Sequence, residues 1–350
     1  MVFFSIGLPS RFAEWCDQLV LQLVERRFGS AEAVALNGLE ELASAVVRTK
    51  AGNLVACCRQ PVLRLQTEIL QAQRPFLVAL GDPRAALGNL IEGAGYSLAE
   101  ATRAVASSCA TMLTITKAPS ALVLTPDRSL DAYSAAAAIA ELFQLPLNRA
   151  ELTAVVDGLA DAVVGLTQED GLAWLEQLGE RERAIINGAF EPYIAHFAGA
   201  QLDRLVWEPE LFYATQDPPA AGLIPLTGPV DVTGRTRFLV YGPFINLPPG
   251  PWSADVVLGF SAETSGMAFT IEVFAGSQLA HTRVEVTGEQ VVQSRLYFTI
   301  ENSVDQAVQI RVFNERAAFD GRLALGYVAM TPQPTVPGET RERLAETLRQ

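Results

Sequence analysis

The chain has 350 residues, 49% hydrophobic and 19% charged, which excludes wholesale disorder and is length enough for about two domains with cores of their own. The formal charge is −13, and Lys50 and Lys117 are the only lysines, so the basic stripe that a nucleic-acid binder needs is missing. No apolar run approaches the roughly 18–20 residues of a membrane span, and the apolar start MVFFSIGLPS has neither a basic flank nor a small-residue cleavage site. The expected compartment is therefore the cytoplasm.

Val2 to Ile6 (VFFSI) reads as a strand. After it Phe12, Trp15, Cys16, Leu19 and Leu23 recur at helical spacing until Gly29. NLVACC (Asn53 to Cys58), FLVAL (Phe76 to Leu80) and ALVLT (Ala121 to Thr125) repeat the short apolar format. Helical stretches follow at Val62 to Gln73, Ala85 to Ile91, Leu98 to Thr116 and Ser129 to Phe143. Continuous apolar strands separated by helices specify a parallel sheet covered on both faces, a three-layer α/β domain over residues 1–165. Cys16, Cys57, Cys58 and Cys109 show no C-x-x-C spacing and read as buried reduced thiols.

A helical segment with Leu152, Val155, Val156, Leu159 and Val163 on one face closes this domain, and residues 166–203 form its helical link to the next. From Asp203 prolines and glycines accumulate and the apolar period becomes two. Ala254 to Phe260, Phe269 to Val273, Val284 to Val286, Leu296 to Ile300 and Val308 to Val312 alternate, with turn signals between them. This predicts an antiparallel β-sandwich, or jelly roll, over 204–332, followed by a charged, proline-punctuated tail at 333–350.

Most chemical signals are weak. Neither lysine follows the glycines of a Walker loop, GAGYSL (Gly93 to Leu98) follows a helix and not a strand, and His196 and His281 fall in different halves. No metal site is expected. Glu40 with Glu41 and Glu180 with Glu182 read as solvated helix faces.

The informative stretch is FFSIGLPSRFAEW, where strand, tight turn and helix N-terminus succeed one another as in a phosphate-binding loop. It resembles the P-[RK]-S-G-T-T loop of the phosphoadenosine-phosphosulfate-dependent sulfotransferases. FLVALGDPRAALGNLI (Phe76 to Ile91) is similar to their strand and R-D-P-R-D segment, and Ala121 to Asn148 to their late strand and helix ending F-L-G-L-P. The resemblance implies a P-loop-type fold and phosphoadenosine phosphosulfate, or its bisphosphate product, as ligand, with Pro9, Ser10, Arg11, Arg84 and Asn89 as its binding residues.

The departures concern charge and space. Ser10 stands at the family's basic position, Phe12 at its glycine, Ala13 and Glu14 at its threonines, Gly81 at its leading arginine and Asn89 at its phosphate-binding serine. A missing guanidinium removes a contact worth about 1.5–3 kcal/mol, and Glu14 opposes an anion. Arg11 is placed to reach the anion from one position later. The degenerate loop predicts a domain that no longer transfers a sulfuryl group; the alternative is an active carbohydrate sulfotransferase whose donor is held by Arg11 and Arg84.

VYGPFINLPPGPWSADVVLGF (Val240 to Phe260) resembles a G-P-Y-x-x-L-x-P-G-x-Y segment of jelly-roll modules attached to bacterial glycosyltransferases and other polysaccharide-assembly proteins. That resemblance implies a carbohydrate-binding module, with Tyr241, Asn246, Trp252, Arg311 and Asn314 as sugar-binding candidates and Phe244 beside them. A tryptophan next to a Pro-Pro-Gly turn also reads as a packing corner. The expected function is a glycan-associated protein of bacterial cell-surface polysaccharide assembly, its sandwich engaging glycan or an assembly enzyme. A third reading is an interaction protein without a small-molecule ligand.

Overall fold

The computed structural model describes residues 1–126, 131–159, 172–215, 223–301 and 306–334. Five strands, β1 (Val2–Gly7), β2 (Glu32–Ala35), β3 (Leu54–Cys58), β4 (Phe76–Ala79) and β5 (Ala121–Leu124), form a parallel sheet in the order β2-β3-β1-β4-β5. Its helices are α1 (Arg11–Phe28), α2 (Leu39–Arg48), α3 (Leu63–Gln71), α4 (Pro83–Ala94), α5 (Leu98–Ile115), α6 (Ala132–Leu142), α7 (Arg149–Asp157) and α8 (Glu180–Phe197). β1, β3 and β4 divide their side chains between two cores. Phe3, Val55 and Leu77 pack with α1, α6 and α7, while Phe4, Ala56 and Val78 join the core on the opposite face. Every residue of β4 is buried, which is why it reads as an unbroken apolar run.

Two elements between Gly29 and Asn53 carry no such run. The edge strand β2 leaves Glu32, Ala33 and Ala35 exposed, and α2 buries Ala45 alone. Val163 and the segment after Leu159 lie outside the described residues, as do 127–130.

The second half is an antiparallel sandwich. Its strands are β6 (Leu205–Trp207), β7 (Tyr213–Ala214), β8 (Ile224–Pro225), β9 (Val230–Asp231), β10 (Phe238–Ile245), β11 (Gly250–Phe260), β12 (Ala268–Ala275), β13 (Ser277–Glu285), β14 (Gln290–Ile300), β15 (Val308–Asn314) and β16 (Arg322–Pro332). One sheet runs β13-β12-β15-β10-β7-β8 and the other β14-β11-β16-β6, with β9 on β16. β16 has no clean alternation in sequence because its register against β11 shifts between Val257 and Leu258. Gly326 lies there, and a Cβ on it would come within 3.0 Å of Val257 Cγ1. The tail from 335 onward lies outside the described residues.

The halves share one core. A continuous cluster runs from Phe4 and Val78 through Cys109 and Tyr193 to Trp207, Phe212 and Ile310. α8 presses on β6 so closely that a Cβ on Gly188 would sit 2.9 Å from the Val206 carbonyl oxygen. The Asn246 backbone N–H donates to Ser107 Oγ at 3.1 Å, and Arg103 Nη1 donates to the Leu211 carbonyl at 3.0 Å. Arg181 on α8 holds Glu210 with two bonds of 2.7 Å.

Candidate functional site

β1 and β4 are neighbours whose connections leave in opposite directions, β1 toward β2 and β4 toward β5. The crevice at their carboxyl ends is the switch point where open α/β sheets bind ligands. Both sulfotransferase-like loops end there.

The first loop is tight: the Ser10 N–H donates to Leu8 O at 2.8 Å. Ser10 is the N-cap of α1, and its buried hydroxyl accepts from the Ala13 N–H at 3.3 Å. That bond occupies one of the free amides an anion would need. Gly7 is required by close approach, since a Cβ there would lie 2.8 Å from Ala79 O. Phe12 is buried, stacked on Trp15 at 6.0 Å, and within 3.9 Å of where a Cβ on Gly81 would stand. An apolar ring thus fills the ground between the two loops. Asn89 Nδ2 donates to Pro9 O at 3.3 Å and approaches Glu14 Oε1 at 3.5 Å, which brings Pro9, Ser10 and Asn89 together with a carboxylate among them.

Arg84 faces elsewhere. Its guanidinium donates to both oxygens of Asp82 (3.1 and 2.8 Å) and to Glu191 Oε1 on α8 (3.2 Å). Asp82 is also the N-cap of α4, and its hydrogen bond and charge raise the Arg84 pKa, holding the guanidinium charged and doubly paired. Arg11 is exposed and makes no ion pair among the described residues. No cluster of three potential metal ligands occurs among the described residues. His196 on α8 has its pKa lowered by burial and by the charge of Lys117, and His281 lies on β13.

The sandwich candidates separate into two groups. Trp252 is 2% exposed and its indole N–H donates to Pro248 O at 3.0 Å, so this ring packs the corner and presents no face to a sugar. Asn314 is fully buried; it accepts from the Arg237 N–H and donates to the Arg235 and Arg316 carbonyls, a loop-stapling role and not a recognition role. Asn246 is buried at the junction with α5.

Tyr241 and Arg311 are brought together. They are register partners on β10 and β15, with Glu272 of β12, itself buried, and then His281 of β13 continuing the row on the same face of the six-stranded sheet. The Arg311 guanidinium lies 3.4 Å from the Phe274 ring centroid and 5.5 Å from that of Phe238, which meets Phe313 edge-on at 5.6 Å. Such cation–π contacts contribute about 0.5–2 kcal/mol each and hold the guanidinium beside these rings. Tyr241 in turn meets Tyr213 at 5.7 Å and Phe244 at 6.1 Å. Phe244 adopts φ +65°, a left-handed backbone costing a residue with a Cβ about 1–2 kcal/mol. Glu272, Phe274, Phe238, Phe313 and Tyr213 are missed by sequence reasoning. Their common face depends on strand order, which alternation alone does not reveal.

Neither a family model nor a curated protein matches the chain. Among solved structures, a mouse sulfotransferase complexed with PAP aligns over 55% of this chain and 83% of its own, at 9% identity and a TM-score of 0.40. The carbohydrate-binding module TmCBM61, in complex with β-1,4-galactotriose, aligns over 37% of this chain and 88% of its own, at 13% identity and a TM-score of 0.24. The arabinose-bound α-L-arabinofuranosidase MgGH51 aligns over 35% of this chain at 18% identity and a TM-score of 0.25, and this chain spans 22% of that enzyme's length. These are likenesses of fold.

Proposed function

We propose that this chain is a glycan-binding protein of bacterial cell-surface polysaccharide assembly, acting in the cytoplasm, with an α/β half that no longer transfers a sulfuryl group. The observation that carries the reading is the outer face of the six-stranded sheet, where Arg311 and Tyr241 stand in register among Phe238, Phe274, Phe313 and Glu272. Pyranose rings offer apolar faces to aromatic side chains and hydroxyls to planar polar groups, and this face supplies both. The loss of sulfuryl transfer is supported at the crevice, where Ser10 caps its own helix, Phe12 fills the space beside Gly81, and Arg84 is committed to Asp82 and Glu191. Four free cysteines, three of them buried, agree with a reducing compartment. Glycan or an assembly enzyme is the partner.

The test is calorimetric titration of the full chain with neutral oligosaccharides such as β-1,4-galactotriose and xylotriose, alongside Tyr241→Ala. Saturable binding lost in the variant is expected; absence of binding to a broad oligosaccharide set overturns the reading. Titration with adenosine 3′,5′-bisphosphate is expected to give no heat up to millimolar ligand.

Arg11 supports a second reading, residual donor binding in an active carbohydrate sulfotransferase. It is an exposed cation, without an ion pair among the described residues, at the N-terminus of the 18-residue α1. Bisphosphate binding abolished by Arg11→Ala selects that reading over the first.

A further inference from the structure

The row on the sheet face does not stop at Tyr241. Its register partner across the next ladder is Tyr213 of β7, and over the Tyr213 ring, at 4.7 Å, lies the guanidinium of Arg103 from α5. There the surface enters a cleft of about 470 Å³, lined among others by Gln60, Tyr96, Glu100, Arg103, Phe244 and Asn246. Gln60 comes from the chain just beyond β3, at the carboxyl edge of the parallel sheet. Tyr96 comes from the turn before α5, Glu100 and Arg103 from the first turns of α5, Phe244 from the end of β10 and Asn246 from just beyond it. Neither half forms this cleft alone.

Its chemistry is specific. Arg103 is half-buried, and burial lowers its pKa from a very high ordinary value, so it stays charged at neutral pH. Of its five N–H donors one is used, on the Leu211 carbonyl; no ion pair within 4 Å holds it among the described residues, and the Glu100 carboxylate of the same recess acts on it only through its charge. Glu100 has Oε2 turned to the helix cap, accepting from the Ser97 N–H at 2.9 Å and the Ser97 hydroxyl at 2.6 Å. The Tyr213 ring lies under the guanidinium, and Tyr96 and Phe244 line the same recess, Phe244 in the left-handed backbone. A planar fork of donors in an open recess with aromatic residues in its lining suits a planar or trigonal array of anionic oxygens on a ring with an apolar face. The volume lies within the range of about 300–1,000 Å³ typical of ligand pockets.

We propose that this junction cleft is a subsite for an anionic sugar unit, bearing a carboxylate or a sulfate ester, at the end of the glycan that the sheet face engages. The proposal rests on the glycan reading above and adds to it the charge of the terminal unit and the residue that selects it.

The experiment is calorimetry of the full chain with D-glucuronate, D-glucose 6-sulfate and D-glucose, repeated on Arg103→Gln and Tyr96→Ala. At least one anion binds, with about tenfold or greater preference over glucose, the factor that one charge-assisted contact supplies. Which anion binds tells carboxylate from sulfate. Arg103→Gln erases the preference. Because that variant also loses the Leu211 bond, Tyr96→Ala serves as the second arm: the residue is 44% exposed, so the fold keeps its melting temperature while anion affinity falls. Equal binding of glucose and the anions, or a preference that survives both substitutions, overturns the subsite. If neutral oligosaccharides still bind in a Tyr241-dependent manner, the subsite falls and the glycan reading stands; if no saccharide binds, both fall.

Discussion

Trp252 shows how much one side chain's surroundings decide. With its ring buried and its N–H on Pro248, it is a structural anchor of the turn between β10 and β11. Trp252→Ala is expected to cost about 3–5 kcal/mol, the range for deleting a large buried aromatic, and to lower the denaturant midpoint accordingly. Retention of wild-type stability together with loss of glycan binding refutes the anchor role. The thiols make a second prediction. Burial pushes Cys58 up to about 12 and raises Cys16 and Cys109 well above the ordinary thiol value, with Asp17 adding to the effect at Cys16. Unfolded thiols ionise near 8.5, so between there and the folded values the unfolded chain releases protons that the folded chain keeps. Stability therefore falls as pH rises above about 8.5, and native protein at pH 8 is expected to resist Ellman's reagent until denatured. Rapid native labelling of Cys58 contradicts this.

At the scale of elements, legibility follows burial. β1, β3 and β4 announce themselves because both of their faces are covered, so nearly every residue is apolar; β5 reads the same way from its ALVL run although it is an edge strand with Val123 exposed. β2 is an edge strand without that constraint, and β16 changes phase at Gly326, so counting in twos misses both. The loops at the switch point are legible from strand, turn and helix order. The partner that ties up Arg84 is not: Glu191 stands 107 residues away on another helix. The sheet-face row is hidden for the same reason, since Tyr241, Arg311, Glu272 and His281 become neighbours only once the strand order is known. One element contact carries a direct test. Gly188 lets α8 meet β6, and Gly188→Ala places a methyl 2.9 Å from a carbonyl oxygen that backbone pairing holds in place. It is expected to destabilise by about 1–3 kcal/mol, although alanine favours helix, because overpacking outweighs propensity here. A stabilised variant shows that the contact is loose.

For the whole molecule, the continuous core from the parallel sheet to the sandwich predicts cooperative behaviour. Heating is expected to give a single calorimetric transition with matching calorimetric and van't Hoff enthalpies; two separable transitions contradict a shared core. Expression of residues 1–203 alone is expected to yield an aggregation-prone protein, because Ile186, Phe190 and Tyr193 pack in the cluster that also holds Trp207 and Phe212. The architecture also divides labour by location. The crevice of the α/β sheet carries a closed loop, while the aromatic and charged surface lies on the sandwich and at its seam with α5.

The bonds that lash the halves together, Ser107 to Asn246 and Arg103 to Leu211, also frame the cleft between them. Its walls are consequently tied to one another before any ligand arrives, although the recess itself lies open to solvent. On the reading proposed above, the groups that meet a glycan end are already in place. Selectivity then resides in preformed placement, and little ordering of the protein need accompany capture.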